Sequence, residues 1–273
     1  NNSLNEYMSL DMLKFIFSLD LFKSLRNHIA SFFKNKKLCE ILEFPSMFLG
    51  GTPNNTPALY SLMNHADIIG GTWYPMGGMN QITKAFYKLG KELGVKYILN
   101  EEIDNIEISD NKIKQITSKN GQSYIADKYI SCAEYPHIQN LLSTKNHQSY
   151  KQKYWNKKHI APSALIFYLG LSKKIKKLEH HNLFFDENFD SHLDDIFNKK
   201  KWPKKPLFYA CCPSKTDNSV VPDDSKENIF ILIPISAGSK DNKEVREKYY
   251  FKIINRLEKI TGEKIKDKII YKK

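Results

Sequence analysis

Apolar residues recur at steps of three and four from Met8 to Phe33, through Met12, Phe15, Ile16, Leu19, Phe22, Leu25, Ile29 and Phe32. That stripe predicts one or two amphipathic helices over Met8–Lys37. Helical character continues over Cys39–Met63 and is broken at Gly50-Gly51-Thr52-Pro53, with a fresh start at Thr56-Pro57-Ala58. A further helix is expected over Asn80–Leu93, with Ile82, Phe86, Leu89 and Leu93 on its buried face and Gly94 ending it. The period then changes. Val95–Leu99, Ile103–Ile108, Ile113–Thr117, Ser123–Ile125 and Tyr129–Ala133 read as short strands, with turns at Asp110-Asn111 and Asn120-Gly121. A helix begins at His137–Leu142, and Lys145–Lys158 is a polar surface segment.

The second half carries a more apolar sheet. Ser163–Leu171 is nearly all apolar, so it is expected to be buried on both faces or to lay one face on an apolar ligand. Asn182–Phe185, Leu207–Cys212 and Ile229–Ile235 are its expected partners, with helices over Ser191–Asn198 and Glu244–Ile260 and a strand-like Ile269-Ile270-Tyr271 near the end. The fold class is therefore mixed α/β (α+β).

Composition changes this picture little. The 273 residues can bury a large core, and 41% hydrophobic content suits a globular protein. The net charge is +12, yet only Arg26, Arg246 and Arg256 among 42 basic residues are arginine. Readers of nucleic acid lean on arginine, so no nucleic-acid partner is expected. An anionic membrane surface asks only for diffuse positive charge, and the aromatic stripe of Met8–Phe33 suits a peripheral position on such a surface. Cys39, Cys132, Cys211 and Cys212 form no CxxC pair and are expected to be reduced, buried thiols in a cytoplasmic protein, the last two pointing to opposite faces of a strand. No apolar run is long enough to span a bilayer. The chain opens on Asn1-Asn2 and ends on Lys272-Lys273, which reads as an internal piece of a longer protein.

Candidate chemistry centres on Gly70-Gly71-Thr72-Trp73-Tyr74-Pro75-Met76-Gly77-Gly78-Met79, where aromatics and a proline run into a glycine pair just before a helix. Glycine there permits positive φ and lets a bulky group lie on bare main chain, while first-turn amides favour an electron-rich group. HExxH, GxSxG, Walker and GxGxxG motifs are absent. His180 and His181 are adjacent and are not expected to share a metal easily. Asp194 and Asp195 should diverge on a solvated helix face. No metal ligands are assigned.

The segment Gly71–Gly78 resembles the YPxGG element of bacterial-type phytoene desaturases, the carotenoid desaturases among FAD-dependent amine-oxidase-like flavoproteins. Ser163–Leu171, His180–Phe185, Asp195–Phe197 and Pro213–Asp217 resemble further family blocks in the family's order. The resemblance implies a central fragment of that fold: residues 1–70 a helical part of the substrate and membrane-facing domain, 71–142 part of the FAD-binding domain, and 143–273 a substrate domain on a mostly antiparallel sheet. The N-terminal Rossmann unit and the C-terminal flavin segment are absent from it, so the fragment alone is expected to be inactive. The implied activity is FAD-dependent dehydrogenation of phytoene, a C40 polyisoprenoid, toward lycopene, on the inner face of the cell membrane. The implied cofactor contacts are Ile103, Ala133, Gly77 and Gly78. Tyr74, Pro75, Met76 and Phe167 would touch substrate, and Asp11 and Lys14 match a proposed acid/base pair. Lysine stands there where the family often has arginine, keeping the charge but losing the planar fork. A hydrocarbon offers no polar handle, so the apolar strands are expected to wall a long channel reaching Tyr74 and the twin glycines. A sibling carotenoid desaturase or ketolase and a non-catalytic lipid-binding module are the alternatives.

Overall fold

A computed structural model describes residues 22–47, 49–158 and 160–273. In chain order the principal elements are α1 (Leu25–Phe32), α2 (Lys36–Glu43), α3 (Leu62–His65), α4 (Asn80–Glu92), β1 (Ile103–Ser109), β2 (Lys112–Ser118), β3 (Ser123–Tyr124), α5 (Tyr135–Leu141), α6 (Gln152–Trp155), β4 (Ser163–Leu171), β5 (His181–Phe184), α7 (Phe189–Leu193), β6 (Phe208–Cys211), β7 (Glu227–Ile235), α8 (Lys243–Thr261) and β8 (Ile269–Lys272). They fall into two units. The larger comprises residues 1–84 and 160–273, the smaller 85–159. The boundaries between these compact units lie at residues 84 and 159. Contact density sets them: the polar segment 145–158 packs on α5 and its neighbours, whose rings Tyr135, Tyr150 and Trp155 lie within 6 Å of one another.

The larger unit is built on a five-stranded antiparallel sheet in the order β5-β6-β7-β4-β8. β4 and β7 pair over their whole length, from Ser163 opposite Ile235 to Leu171 opposite Glu227. Because side chains alternate along a strand, Leu165, Phe167, Leu169 and Leu171 share one face with Ile229, Ile231, Ile233 and Ile235. That face packs on Tyr249, Tyr250, Ile253, Ile254 and Leu257 of α8. The Asn242 side chain caps the start of α8 by accepting from the Val245 amide, and Gly262, at φ +74, ends it in the left-handed conformation. A second small core gathers Met47, Phe189, Leu193, Ile196 and Leu207. Arg26 of α1 ties it to the helices: its guanidinium meets Glu43 at 2.7 Å and Asp190 at 2.6 Å. The expectation that β4 is buried on both faces is not met. Its other face is half-open.

In the smaller unit β1, β2 and β3 form an antiparallel meander. Asp110 and Asn111 both take positive φ, 51° and 59°, as a tight two-residue hairpin requires. Val95–Leu99 and Tyr129–Ala133, expected as strands, join no β-ladder among the described residues. Ile98, Leu99 and Ile130 are correspondingly exposed, Ile130 to 92%. β-rich composition gives no strand where the chain supplies no neighbour to bond.

Three further expectations are corrected. Asp195 is buried, because its carboxylate accepts the Lys204 amide at 3.0 Å, while Asp194 pairs with Lys199. Of the four free cysteines only Cys212 is buried; Cys132 is exposed. Helix Ser191–Asn198 is realised as α7 followed by a wider turn over Asp194–Asn198.

Candidate active site

The turn ahead of α4 is held from a distance. Gly77 and Gly78 take φ of +87° and +92°, a region that only glycine enters freely. The Gly77 amide donates to Asp217 Oδ2 at 2.5 Å, and the Gly78 amide to the Pro75 carbonyl at 3.0 Å. Asp217 Oδ1 accepts the Ser219 amide and hydroxyl. These bonds, the Ser219 hydroxyl first and the Gly77 amide second, hold the Asp217 carboxyl below its ordinary range. Burial first, and the Asp217 charge second, push the Tyr74 phenol up.

The segment Pro213–Asp217 is where sequence reasoning missed most. Each polar side chain in it does a separate task. Ser214 and Asn228 exchange hydrogen bonds at 3.1 and 3.2 Å. Lys215 meets the buried Glu227 at 3.1 Å, and Glu227 accepts the Ile175 amide at 2.8 Å. Thr216 Oγ1 lies 2.7 Å from His180 Nδ1, and Asp217 pins the glycine turn. The sequence shows a Ser-Lys-Thr-Asp run in a turn; its partners lie far off along the chain.

From this turn a row of rings crosses the open face of the sheet. Tyr74 meets His180 edge-on at 4.8 Å, His180 meets His181 at 4.4 Å, and His181 stacks on Tyr209 at 6.0 Å. Tyr209 meets Phe230 at 6.4 Å, and Phe230 meets Tyr168 at 5.4 Å. Cross-strand pairing of Leu183 with Tyr209, Tyr209 with Leu232 and Leu232 with Ile166 puts apolar side chains on the same face. Beside the row, a cavity of about 260 Å³ is lined by Phe44, Met47, Ala164, Leu183, Tyr209, Leu232 and Pro234 among others. Its walls carry few polar groups, as a hydrocarbon site requires.

The site residues expected from the sequence separate. Tyr74, Gly77 and Gly78 are together, with Pro75 in the same turn and Met76 exposed. Phe167 is not on the open face: it is buried against Tyr250 at 5.6 Å, because alternation sends Ile166 and Tyr168 outward instead. Ile103 opens β1 at a sheet edge, and Ala133 lies exposed in a bend ahead of α5. Asp11 and Lys14 lie outside the described residues. The closed channel reaching Tyr74 is replaced, among the described residues, by an open face with a local cavity that Tyr74 does not line.

The fold and this site define a flavoprotein of the amine-oxidase class. The chain belongs to the family described as flavin containing amine oxidoreductase, whose model matches residues 5–268. It is 36% identical to the carotenoid 3,4-desaturase of Haloarcula japonica, over all of this chain and 55% of that protein. It is 31% identical to the phytoene desaturase of Neurospora crassa (81% of this chain, 38% of that one) and 30% to a 4,4'-diapolycopene oxygenase of Methylomonas (78% and 44%). The chain therefore spans about half the length, or less, of these relatives. An oxidoreductase from Methanosarcina mazei has the same fold, with TM-score 0.59 at 17% identity over 99% of this chain and 63% of that one.

The family implies FAD. The residues fit it in one respect: the Gly77-Gly78 pair, at positive φ, leaves main chain without side chains ahead of a helix, its two amides already bonded to Asp217 and to the Pro75 carbonyl. Within the smaller unit, Ile103 opens an edge strand whose pairing on one side is made only to β2.

Proposed function

We propose that the protein carrying this chain is an FAD-dependent carotenoid desaturase, and that the open face of the larger sheet is where the C40 polyisoprenoid lies. The row of rings from Tyr168 to Tyr74 carries the reading. It forms an apolar, aromatic track that ends at the glycine turn. A substrate without polar groups is positioned by shape and dispersion alone, and aromatic rings suit conjugated chains. When bound, the flavin supplies the hydride acceptor for dehydrogenation. This chain's part is orientation and exclusion of water: Asp217 holds the Gly77 amide, the turn holds Tyr74, and Tyr74 holds His180.

The membrane reading draws on two segments: of the expected stripe, residues 8–21 lie outside the described residues, while Phe22 and Phe32 are 91% and 67% exposed. Ile68, Ile69 and Trp73 are 68%, 72% and 89% exposed in the larger unit, and an interfacial tryptophan with aliphatic neighbours suits a bilayer surface. No described helix is long and apolar enough to cross a membrane. Peripheral attachment on the cytoplasmic side belongs to this proposal.

The test is expression of the full-length gene in phytoene-producing cells, with accumulation of coloured polyenes expected. Colourless phytoene together with unchanged lycopene in lycopene-producing cells overturns the reading. The whole-chain similarity to a 3,4-desaturase favours a second reading, 3,4-desaturation; conversion in the lycopene-producing cells alone selects it.

A further inference from the structure

The track contains a group of side chains that hydrocarbon binding does not call for. His180 and His181 precede and open β5, and Cys211 closes β6 directly opposite His181. From the sequence, two adjacent histidines are not expected to share a metal easily. The structure brings them together, because His180 lies just outside the regular strand, where strict alternation no longer applies. Their rings come within 4.4 Å, and donor atoms of His180, His181 and Cys211 all lie within 4.8 Å of one another.

We propose that His180, His181 and Cys211 form a binding site for a zinc-class divalent cation at the rim of the sheet. Two imidazoles and one thiolate are the donor types that such ions take, and three protein ligands leave a fourth position open. One nitrogen of each ring already has a hydroxyl partner. His180 Nδ1 lies 2.7 Å from Thr216 Oγ1, and His181 Nδ1 lies 2.5 Å from the Tyr209 hydroxyl. Bonds at Nδ1 fix the ring and leave Nε2 as the free donor. Binding closes the donors from 4.8 Å to tetrahedral spacing, a movement of about 1 Å, and displaces the Cys211 proton to solvent. The site stands on the geometry of these side chains and is independent of the desaturase reading.

The experiment uses cobalt(II) as the probe for zinc. Titrating the folded protein with Co(II) is expected to give one equivalent bound, with a sulfur-to-cobalt charge-transfer band in the near ultraviolet. Cys211→Ser removes the band. His181→Ala, an exposed substitution, weakens binding at least tenfold, and Thr216→Val weakens it roughly tenfold through loss of the supporting bond. Circular dichroism checks that each variant is folded. A protein that shows no such band in excess Co(II), or a band that survives Cys211→Ser, overturns the proposal. If Cys211→Ser does not fold, an undiminished affinity in His181→Ala overturns it equally. Desaturase activity is not part of the readout, so failure of that reading leaves this test intact.

Discussion

The sheet core of the larger unit and the smaller unit use their apolar residues in opposite ways. In the larger, Leu171, Ile175, Ile231, Ile233, Ile253, Ile254 and Leu257 are all 0% exposed, sealed between the sheet and α8. In the smaller, Ile106 is the buried hydrophobic residue among those described, at 7%, while Phe86, Leu93, Leu99 and Ile125 stand 69%, 74%, 73% and 78% exposed. The compositions are similar, so the difference is one of partners. The larger unit contains both sides of its core. The smaller unit contains one side, and its apolar residues are arranged for neighbours that the described residues do not supply. A strand or helix is stabilised by what it packs on.

The largest expected effect tests this contrast directly. Native-state hydrogen exchange of this chain should show amides in the middle of β4 and β7 opening only with global unfolding, about 5–15 kcal/mol. Amides over residues 95–99 should be almost unprotected. Comparable protection in both places would break the comparison; protection appearing at 95–99 only in the full-length protein would sharpen it.

Side-chain deletions come next. Ile231→Ala, in the sealed core, is expected to cost about 2–5 kcal/mol, and Ile98→Ala, 57% exposed, no more than about 0.5 kcal/mol. Lys215→Met belongs with the first of these, at about 3–5 kcal/mol, because it leaves the buried Glu227 carboxylate without its 3.1 Å partner. Denaturant melts of the three variants give the ranking.

His192 gives a pH-dependent version of the same contrast. It is 1% exposed and its Nδ1 accepts the Leu207 amide at 2.9 Å. Burial lowers its pKa from 6.5 to about 4. Between those values the unfolded chain binds a proton that the native one does not, so stability falls as pH drops through the window. The expected loss from pH 7 to pH 4 is about 3 kcal/mol. His192→Asn, which keeps an acceptor near Nδ1, should flatten that part of the curve; an unchanged slope would assign the acid sensitivity elsewhere.

Local order was legible in the sequence wherever both partners of an element carry strong periodicity. β4 and α8 appear within a residue of their expected limits because a bounded apolar run and a 3.6-residue stripe meet in one core. The glycine turn was legible because only glycine suits its φ values. Val95–Leu99 and Tyr129–Ala133 were misread because strand composition says nothing about whether a neighbour exists. Phe167 was misread because a continuous apolar run hides which face looks outward. The role of Asp217 was invisible for a different reason: its bond to Gly77 joins residues 140 apart, and nothing local to either one marks the other.

That bond supports a prediction with little expected effect on stability, and it separates a site from a core. Asp217→Asn keeps the shape of the side chain and its ability to accept from Ser219, but it removes the charge that faces the Gly77 amide. Because the turn touches the sealed core only at its margin, the melting midpoint should move little. The ring row starts from this turn, so its far end should be undisturbed while Tyr74 and His180 lose their fixed geometry. In the full-length protein the expected result is a fall in kcat on the order of 10-fold to 100-fold, the scale of misplacement by about 1 Å, with KM nearly unchanged because the apolar face proposed to hold the substrate is intact. A KM effect without a kcat effect would place Asp217 in substrate binding and would remove the positioning role from it. A large fall in stability would instead make Asp217 part of the sealed core, and the contrast between a rigid sheet and the turn that it positions would lose its basis.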